Sequence, residues 1–234
     1  HQGTGTSVFN INSLNLTNGG VFHASLGSAT NGASGNIIFN ADSVNILGAA
    51  STMNLASSYA TGTVTSSISG NVTIGEGKLN VKRETGSGTM TVSGNFIING
   101  GDVSLFNPGI VASTNASTIS LTVNGNYVQT AGNFDFDKLT TNTTATRTLN
   151  VKGNFTHSGG TFRNIQETTS TLVFNGTALQ TLTGPAATRL YKLTLNNAAG
   201  VQQTGGNFRV INQFTLTSGV WRTNDSDLIM ESTA

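Results

Sequence analysis

Apolar residues alternate with polar ones in short segments along the chain, which is the pattern of strands that bury one face. Met90 and Val92 form one alternating pair, and Leu149 and Val151 form another. A Gly-Asn step, a second apolar alternation and a second glycine-containing turn then follow, as in GNFTHSGGTF at 153–162. Each such unit predicts three short strands, joined by two tight corners and one return of variable length.

The same unit recurs along the chain. Its second turn is anchored at Gly19, Ala49, Gly77, Gly101, Gly132, Gly160 and Gly219. The steps are 24 to 31 residues long, except for a last step of 59 residues, which we take as about two periods. Propeller blades are longer, at about 40 residues or more, and sandwiches rarely repeat so regularly. The period therefore favours an all-β, right-handed parallel β-helix (a β-solenoid) of about eight rungs.

The first corner carries the same two residues in four units. Gly and Asn tolerate positive φ, so we predict tight corners at these positions. Stacked units would place the asparagines above one another, within hydrogen-bonding distance along the axis. The predicted corner residues are Gly70, Asn71, Gly94, Asn95, Gly125, Asn126, Gly153 and Asn154.

The chain is unusually poor in charge. Charged residues make up 9% of the 234 residues, and the formal net charge is +1, whereas about 25% charged residues is usual. No segment is strongly basic, so we predict no nucleic-acid partner. No run of about 18 apolar residues is present, so we predict no membrane insertion.

Two pairs of aspartates are the candidate metal ligands. Asp135 and Asp137 lie two apart on one predicted strand, and the neighbouring phenylalanines point inward, so we expect both carboxylates to face solvent. Asp225 and Asp227 lie in a return, where bonding to their own backbone explains them. Both pairs are weak candidates for a Ca²⁺ site, which would need oxygens from neighbouring rungs. The favoured interpretation is a solvated surface without a cofactor.

Two further side chains stand out. His157 occupies the inward slot that Ile98 fills in another unit, so we expect a partly buried structural histidine. Trp221 aligns with Phe162, so we expect core packing rather than a platform for stacking sugars.

Residues 172–230 contain three phrases in sequence. They comprise Phe174, Gly176, Gln180, Thr181, Leu182 and Gly184; Leu193, Thr194, Leu195 and Asn197; and Phe214, Leu216, Thr217 and Gly219. This pattern resembles the giant repetitive cell-surface and gliding-type adhesins of Bacteroidota. The resemblance implies β-solenoid repeats, export by the type IX secretion system and a secreted, cell-surface location. The triplet at Asp42, Ser43 and Val44 is similar to the O-glycosylation triplet of these bacteria, which makes Ser43 a glycan candidate.

We therefore expect a non-enzymatic structural module of a secreted adhesin or filament, serving surface attachment and gliding motility. Residues 1–234 are expected to form one solenoid segment, either a section of a longer chain or a subunit that stacks. The expected partners are neighbouring rungs or copies of the chain end to end, and surface glycans or abiotic surfaces.

Two alternatives stay open. A carbohydrate-active β-helix enzyme or a carbohydrate-binding module is the first, although 11 basic and 10 acidic residues spread over eight rungs argue against an enzyme. An ice-binding solenoid is the second. It needs a flat, regular threonine array, and the pair Thr89 and Thr91 does not recur at the same slot in every unit.

Overall fold

The structure is a computed structural model of the 234-residue chain. It describes residues 5–24, 35–56, 62–83, 86–107, 117–138, 145–163, 170–185 and 188–231. Within these ranges the chain forms strands, turns and bends but no helix, and hence no helix that could cross a membrane. The predicted all-β class is confirmed.

The strands follow one another around a three-sided outline. In chain order they are β1 (Thr6–Leu16), β2 (Val21–His23), β3 (Asn36–Ile46), β4 (Thr52–Asn54), β5 (Val64–Ile68), β6 (Val72–Ile74), β7 (Lys78–Lys82), β8 (Gly88–Val92), β9 (Phe96–Ile98), β10 (Asp102–Phe106), β11 (Thr118–Val123), β12 (Tyr127–Gln129), β13 (Asn133–Asp137), β14 (Thr146–Val151), β15 (Phe155–His157), β16 (Thr161–Arg163), β17 (Ser170–Phe174), β18 (Gln180–Thr183), β19 (Thr188–Asn196), β20 (Val201–Gly205), β21 (Phe208–Ser218), β22 (Trp221–Thr223) and β23 (Leu228–Met230).

Three faces result from the stacking of these strands. Face one contains β5, β8, β11, β14 and β17, and face two contains β6, β9, β12, β15, β18, β20 and β22; the long strands β1 and β3 run through both. Face three contains β2, β4, β7, β10, β13 and β16. Faces one and two form a single 17-stranded sheet, and face three is a 6-stranded sheet.

Every described pairing is parallel, and equivalent residues of successive turns lie opposite each other. On face one, Leu121 lies between Met90 and Leu149. On face three, Val103 lies between Leu79 and Phe134. The chain is therefore a parallel β-solenoid, as predicted, while the right-handed twist of its turns stays a prediction.

The turns have two lengths. The six strands of face three delimit five complete turns, with steps of 24 to 31 residues between paired positions. After β16, hydrogen-bonded positions of adjacent turns are only 20 to 22 residues apart. The register between β19 and β21 shifts at Leu190 and Lys192, so that residues before the shift take the place of a face-three strand and the return is dispensed with. The number of turns thus differs slightly from the predicted eight rungs.

The alignment of Gly219 with the other anchors was wrong. Gly160 lies between β15 and β16, at the corner of faces two and three, whereas Gly219 lies between β21 and β22, at the corner of faces one and two. Phe214 accordingly pairs with Leu193 on face one. On face two, β15, β18, β20 and β22 pair in succession, so the 59-residue step covers three short turns.

The interior is a column of apolar and aromatic side chains. The rings of Phe96, Tyr127 and Phe155 stack, with centroids 6.1 and 4.7 Å apart. The rings of Phe134 and Phe162 stack at 5.3 Å and meet Tyr127 edge-on. Such pairs add about 0.5–1.5 kcal/mol each beyond burial. Since the same inward slots are apolar in every turn, an apolar content of 36% is enough to fill a continuous core.

Candidate functional site

The Gly-Asn corner forms a hydrogen-bonded ladder along the solenoid axis. The side-chain oxygens of Asn71, Asn95, Asn126 and Asn154 each accept a hydrogen bond of 2.8 Å from a backbone N–H of the next turn. Stacked corner asparagines, expected from the sequence, are thus observed in these turns. We call these four residues the corner ladder.

The glycines beside the corner ladder are required for space. Gly70, Gly94, Gly125 and Gly153 do not have positive φ, so the conformational reason given for them was wrong. A Cβ on Gly125 would lie 2.5 Å from the carbonyl oxygen of Gly94 in the turn below. A side chain at this corner would therefore force neighbouring turns apart.

Positive φ occurs at the other corner, between faces two and three. Gly77, Gly101, Gly132 and Gly160 have φ values of 75°, 66°, 75° and 81°. Gln129, three residues before Gly132, donates from Nε2 to the Gly132 carbonyl at 3.1 Å. A polar residue in a slot otherwise filled by isoleucine is the sequence signal for this cap, and it went unrecognised.

His157 is a buried structural histidine, in agreement with the sequence, and its side chain is only 4% exposed. Its Nε2 lies 3.4 Å from the carbonyl oxygen of Gly160, and its ring packs near Phe162. Burial lowers the pKa of His157 from the usual 6.5, and hydrogen bonds with the backbone of Gly160 and Gly159 offset part of that change.

We expect acidification from about pH 7 to about pH 5 to destabilise the wild-type protein more than the variant His157→Gln. Because the folded pKa is lowered, unfolded His157 takes up a proton first as the pH falls. The stabilisation is complete above the unfolded pKa of 6.5 and is lost as the pH falls towards the folded pKa. Glutamine, like Gln129 in the preceding turn, donates the corner bond without titrating. Urea unfolding of both proteins at the two pH values measures the difference, and an unchanged pH dependence in the variant would assign it to other groups.

The expectation that Asp135 and Asp137 face solvent was wrong. Both lie on the outer side of face three, but they are only 3% and 7% exposed. Asp135 lies 3.4 Å from Arg163 Nε and 3.9 Å from Lys138 Nζ. Burial raises the pKa of Asp135, and the two cations offset part of that rise. The carboxylates are thus engaged by protein cations rather than solvated.

The outer side of face three carries a buried charge cluster, which we define as Lys82, Phe106, Asp137 and Arg147. Lys82, Phe106 and Asp137 stack in register across β7, β10 and β13. The guanidinium of Arg147 lies 4.5 Å from the Phe106 ring centroid and 3.3 Å from Asp137 Oδ2. It also donates a hydrogen bond of 2.6 Å to the carbonyl of Ser117. Lys82 and Arg147 are both 0% exposed, so the cluster joins segments of different turns.

Asp225 and Asp227 are exposed. The backbone of Asp227 bonds to the next element, accepting at its carbonyl from the N–H of Phe208 at 2.9 Å and from Gln203 Nε2 at 3.0 Å. In the part of the chain that the structure describes, no group of three or more histidine or acidic residues is placed to hold a metal ion. A Ca²⁺ site stays a prediction.

Trp221 is partly buried against the core, in agreement with its predicted packing, but it occupies a different slot from Phe162. It pairs with Val201 on face two, and its indole N–H donates to Gln203 Oε1 at 3.2 Å. Ser43 is partly exposed on β3, with its hydroxyl 2.9 Å from that of Ser13. Glycosylation of Ser43 stays a prediction.

Three residues of the 172–230 pattern hold the corner between faces one and two. Gln180 Nε2 donates to the carbonyl of Val151 at 2.9 Å, and its Oε1 accepts from the N–H of Gly176 at 2.9 Å. Asn197 Nδ2 donates to the same Oε1 at 2.9 Å. These parts of the pattern therefore have a folding role.

The outward side chains of face one form two straight columns over five turns. Equivalent pairs are Thr65 and Ser67, Thr89 and Thr91, Ser120 and Thr122, Thr148 and Asn150, and Thr171 and Val173. The expectation that the threonine pair does not recur was wrong for these turns, although serine, asparagine or valine takes four of the ten positions. None of the ten is charged, and the one hydrogen bond between them in these strands joins Asn150 Nδ2 to Thr122 Oγ1 at 3.4 Å. We call this surface the hydroxyl array.

Comparison with protein-family models, with curated proteins and with solved structures gives no match in any of the three. The structure itself defines the class, a parallel β-solenoid repeat protein. Its notable features are the corner ladder, the buried charge cluster and the hydroxyl array.

Proposed function

We propose that the chain is a structural module of a secreted bacterial cell-surface adhesin or filament that serves attachment to surfaces, including gliding motility. The observation that supports this most is the continuous parallel stack from β1 to β23. A solenoid of this kind gains its stability from contacts between neighbouring turns and extends by adding turns. It is therefore suited to holding binding surfaces away from a cell.

The outer surface also fits an attachment role. It repeats from turn to turn and is rich in hydroxyl and amide groups, with few charges. Weak contacts repeated along one rod act together, so that avidity exceeds the affinity of any single contact. The resemblance of residues 172–230 to Bacteroidota surface adhesins supports the same role, with export by the type IX system and a location outside the cell.

Antibody fragments raised against the purified chain test this proposal. We expect them to label intact source cells without permeabilisation, and to reduce attachment of these cells to a solid surface. Fragments against a periplasmic protein serve as the control. Labelling that requires permeabilised cells would contradict a surface location, and labelled cells that attach normally would contradict the attachment role.

The hydroxyl array favours a second candidate function, the binding of ice. Adjacent turns are about 4.8 Å apart and alternate residues of a strand about 6.6 Å apart, so the ten positions form a flat, nearly rectangular net. Water oxygens on ice surfaces repeat on a similar scale, and threonine offers both a hydroxyl and a methyl group to such a lattice. Lack of charge on the array is consistent with this role.

Thermal hysteresis and ice-crystal shaping by the purified chain test the second candidate. If the array binds ice, Thr148→Tyr should abolish both effects, because the larger ring breaks the flat surface. Thr156→Tyr, on face two, should leave them unchanged. A wild-type chain that neither shapes ice nor slows its growth would exclude this function.

A further inference from the structure

A groove crosses four successive turns where face one bends into face two. Its volume is about 490 Å³. Each turn contributes one exposed polar residue at the bend: Asn12 from β1, Asp42 from β3, Ser69 after β5 and Ser93 after β8. The groove therefore runs along the solenoid axis, across the strands rather than parallel to them.

A second polar row lines the same groove. Asn10, Asn40, Ser67 and Thr91 lie in register on the four turns. Amide and hydroxyl groups of both rows thus repeat at the spacing of adjacent turns, about 4.8 Å, over a length of about 14 Å. A ligand that matches this repeat should itself be a linear polymer with regularly spaced hydrogen-bonding groups.

The lining also selects the charge of the ligand. Asp42 is the one charged residue that lines the groove, and no lysine or arginine does so. Polyanions such as nucleic acids and uronic-acid polymers would meet a carboxylate without a compensating cation. Ile11 and Ile68 add apolar surface, on which the C–H faces of sugar rings could pack.

The number of carboxylates bears on the chemistry. Hydrolysis of a glycosidic bond generally requires two carboxylates that flank the bond, and Asp42 is the sole carboxylate of the lining. Its Oδ1 accepts a hydrogen bond of 3.0 Å from the hydroxyl of Ser69. Further acceptor sites on the carboxylate suit sugar hydroxyls, which supports binding without cleavage.

We infer that the groove binds a linear, uncharged polysaccharide whose chain lies along the solenoid axis. This inference rests on the attachment role proposed above and gives that role a ligand class. Asp42 orients the chain by accepting hydrogen bonds from sugar hydroxyls, and the rows of amides and hydroxyls bind equivalent groups of successive sugars.

Isothermal titration with defined oligosaccharides tests the inference. The probes are uncharged hexasaccharides of β-1,4-linked glucose, mannose and xylose, and a galacturonic acid hexamer serves as the anionic control. We expect at least one uncharged hexasaccharide to bind, with unchanged length on later chromatography. We also expect its disaccharide to bind more weakly, because it spans fewer turns.

Three variants locate the site. Ser69→Tyr should fill the groove and abolish measurable binding, while Asp42→Asn should weaken binding about tenfold through loss of a charge-assisted hydrogen bond. Thr156→Tyr introduces the same side chain on face two, outside the groove, and should bind like the wild type. Circular dichroism verifies that each variant keeps its sheet content.

Failure to bind any uncharged probe, binding of the anionic hexamer alone, or equal binding by Ser69→Tyr and Thr156→Tyr would each overturn the inference. The attachment role can fail separately. If the wild-type chain and Ser69→Tyr compete equally well with cell attachment, the groove assignment is wrong and the attachment role stands. If the chain binds the sugar but antibody fragments leave cell attachment unchanged, the opposite holds.

Discussion

Replacing Gly132 with alanine is expected to lower the free energy of unfolding by about 2–5 kcal/mol. Gly132 has a φ of 75°, a region in which a residue with a Cβ is strained by about 1–2 kcal/mol. The new Cβ would also lie 2.5 Å from the carbonyl oxygen of Gly100 in the turn below. That atom belongs to the backbone and cannot rotate away, so overpacking should add about 1–3 kcal/mol.

Equilibrium unfolding in urea measures this effect, and Gly205→Ala is the matched control. A Cβ on Gly205 would meet only Thr183 Cγ2, at 3.5 Å, and its φ is not positive. The control should therefore retain a midpoint close to that of the wild type. Similar midpoints for the two variants would show that close stacking at the second corner does not limit stability.

Replacing Asp137 with alanine is expected to destabilise the protein by about 3–5 kcal/mol, the usual cost of removing one partner from a buried ion pair. The change removes the carboxylate that lies 3.3 Å from Arg147. Arg147 has no exposure to water, so solvent cannot replace that carboxylate. The double variant Asp137→Ala, Arg147→Met should regain much of the loss, because it leaves no guanidinium in the buried site.

An exposed ion pair provides the comparison. Glu231 contacts Arg189 at 2.6 Å and Arg209 at 3.3 Å, and both arginines are more than 40% exposed. Glu231→Gln should leave the unfolding midpoint nearly unchanged, because water and salt screen such pairs. If Asp137→Ala were as mild as Glu231→Gln, the buried charge cluster would have no special part in joining the turns.

The period, the fold class and the Gly-Asn corners could be predicted because the same residue type recurs at the same slot. Glycine marks both corners, however, and the phrase that ends at Gly219 resembles the phrase that ends at Gly160. The alignment therefore shifted by one corner where the turns become shorter. Pairing between strands, which depends on long-range contacts, resolves the two corners.

The burial of Asp137 and the hydroxyl array were missed for a related reason. Alternation along β13 correctly gives Phe136 an inward position, but it cannot show that Arg147, from the next turn, covers the outer side. The threonine pairs are separated by unequal returns, 24 residues between Thr65 and Thr89 and 31 between Thr89 and Ser120. Their stacking becomes visible only when the register is known.

The parallel stack has a mechanical consequence. β1 and β23 lie at opposite ends of the stack, so tension between them acts along the axis and loads the hydrogen bonds of the terminal turn before those of the interior. Turns should therefore peel away one at a time. Each released turn of 24 to 31 residues lengthens the chain from about 4.8 Å of rod to about 80–110 Å of extended polypeptide. Such a rod would dissipate the shock of a sudden pull while its remaining turns stay folded.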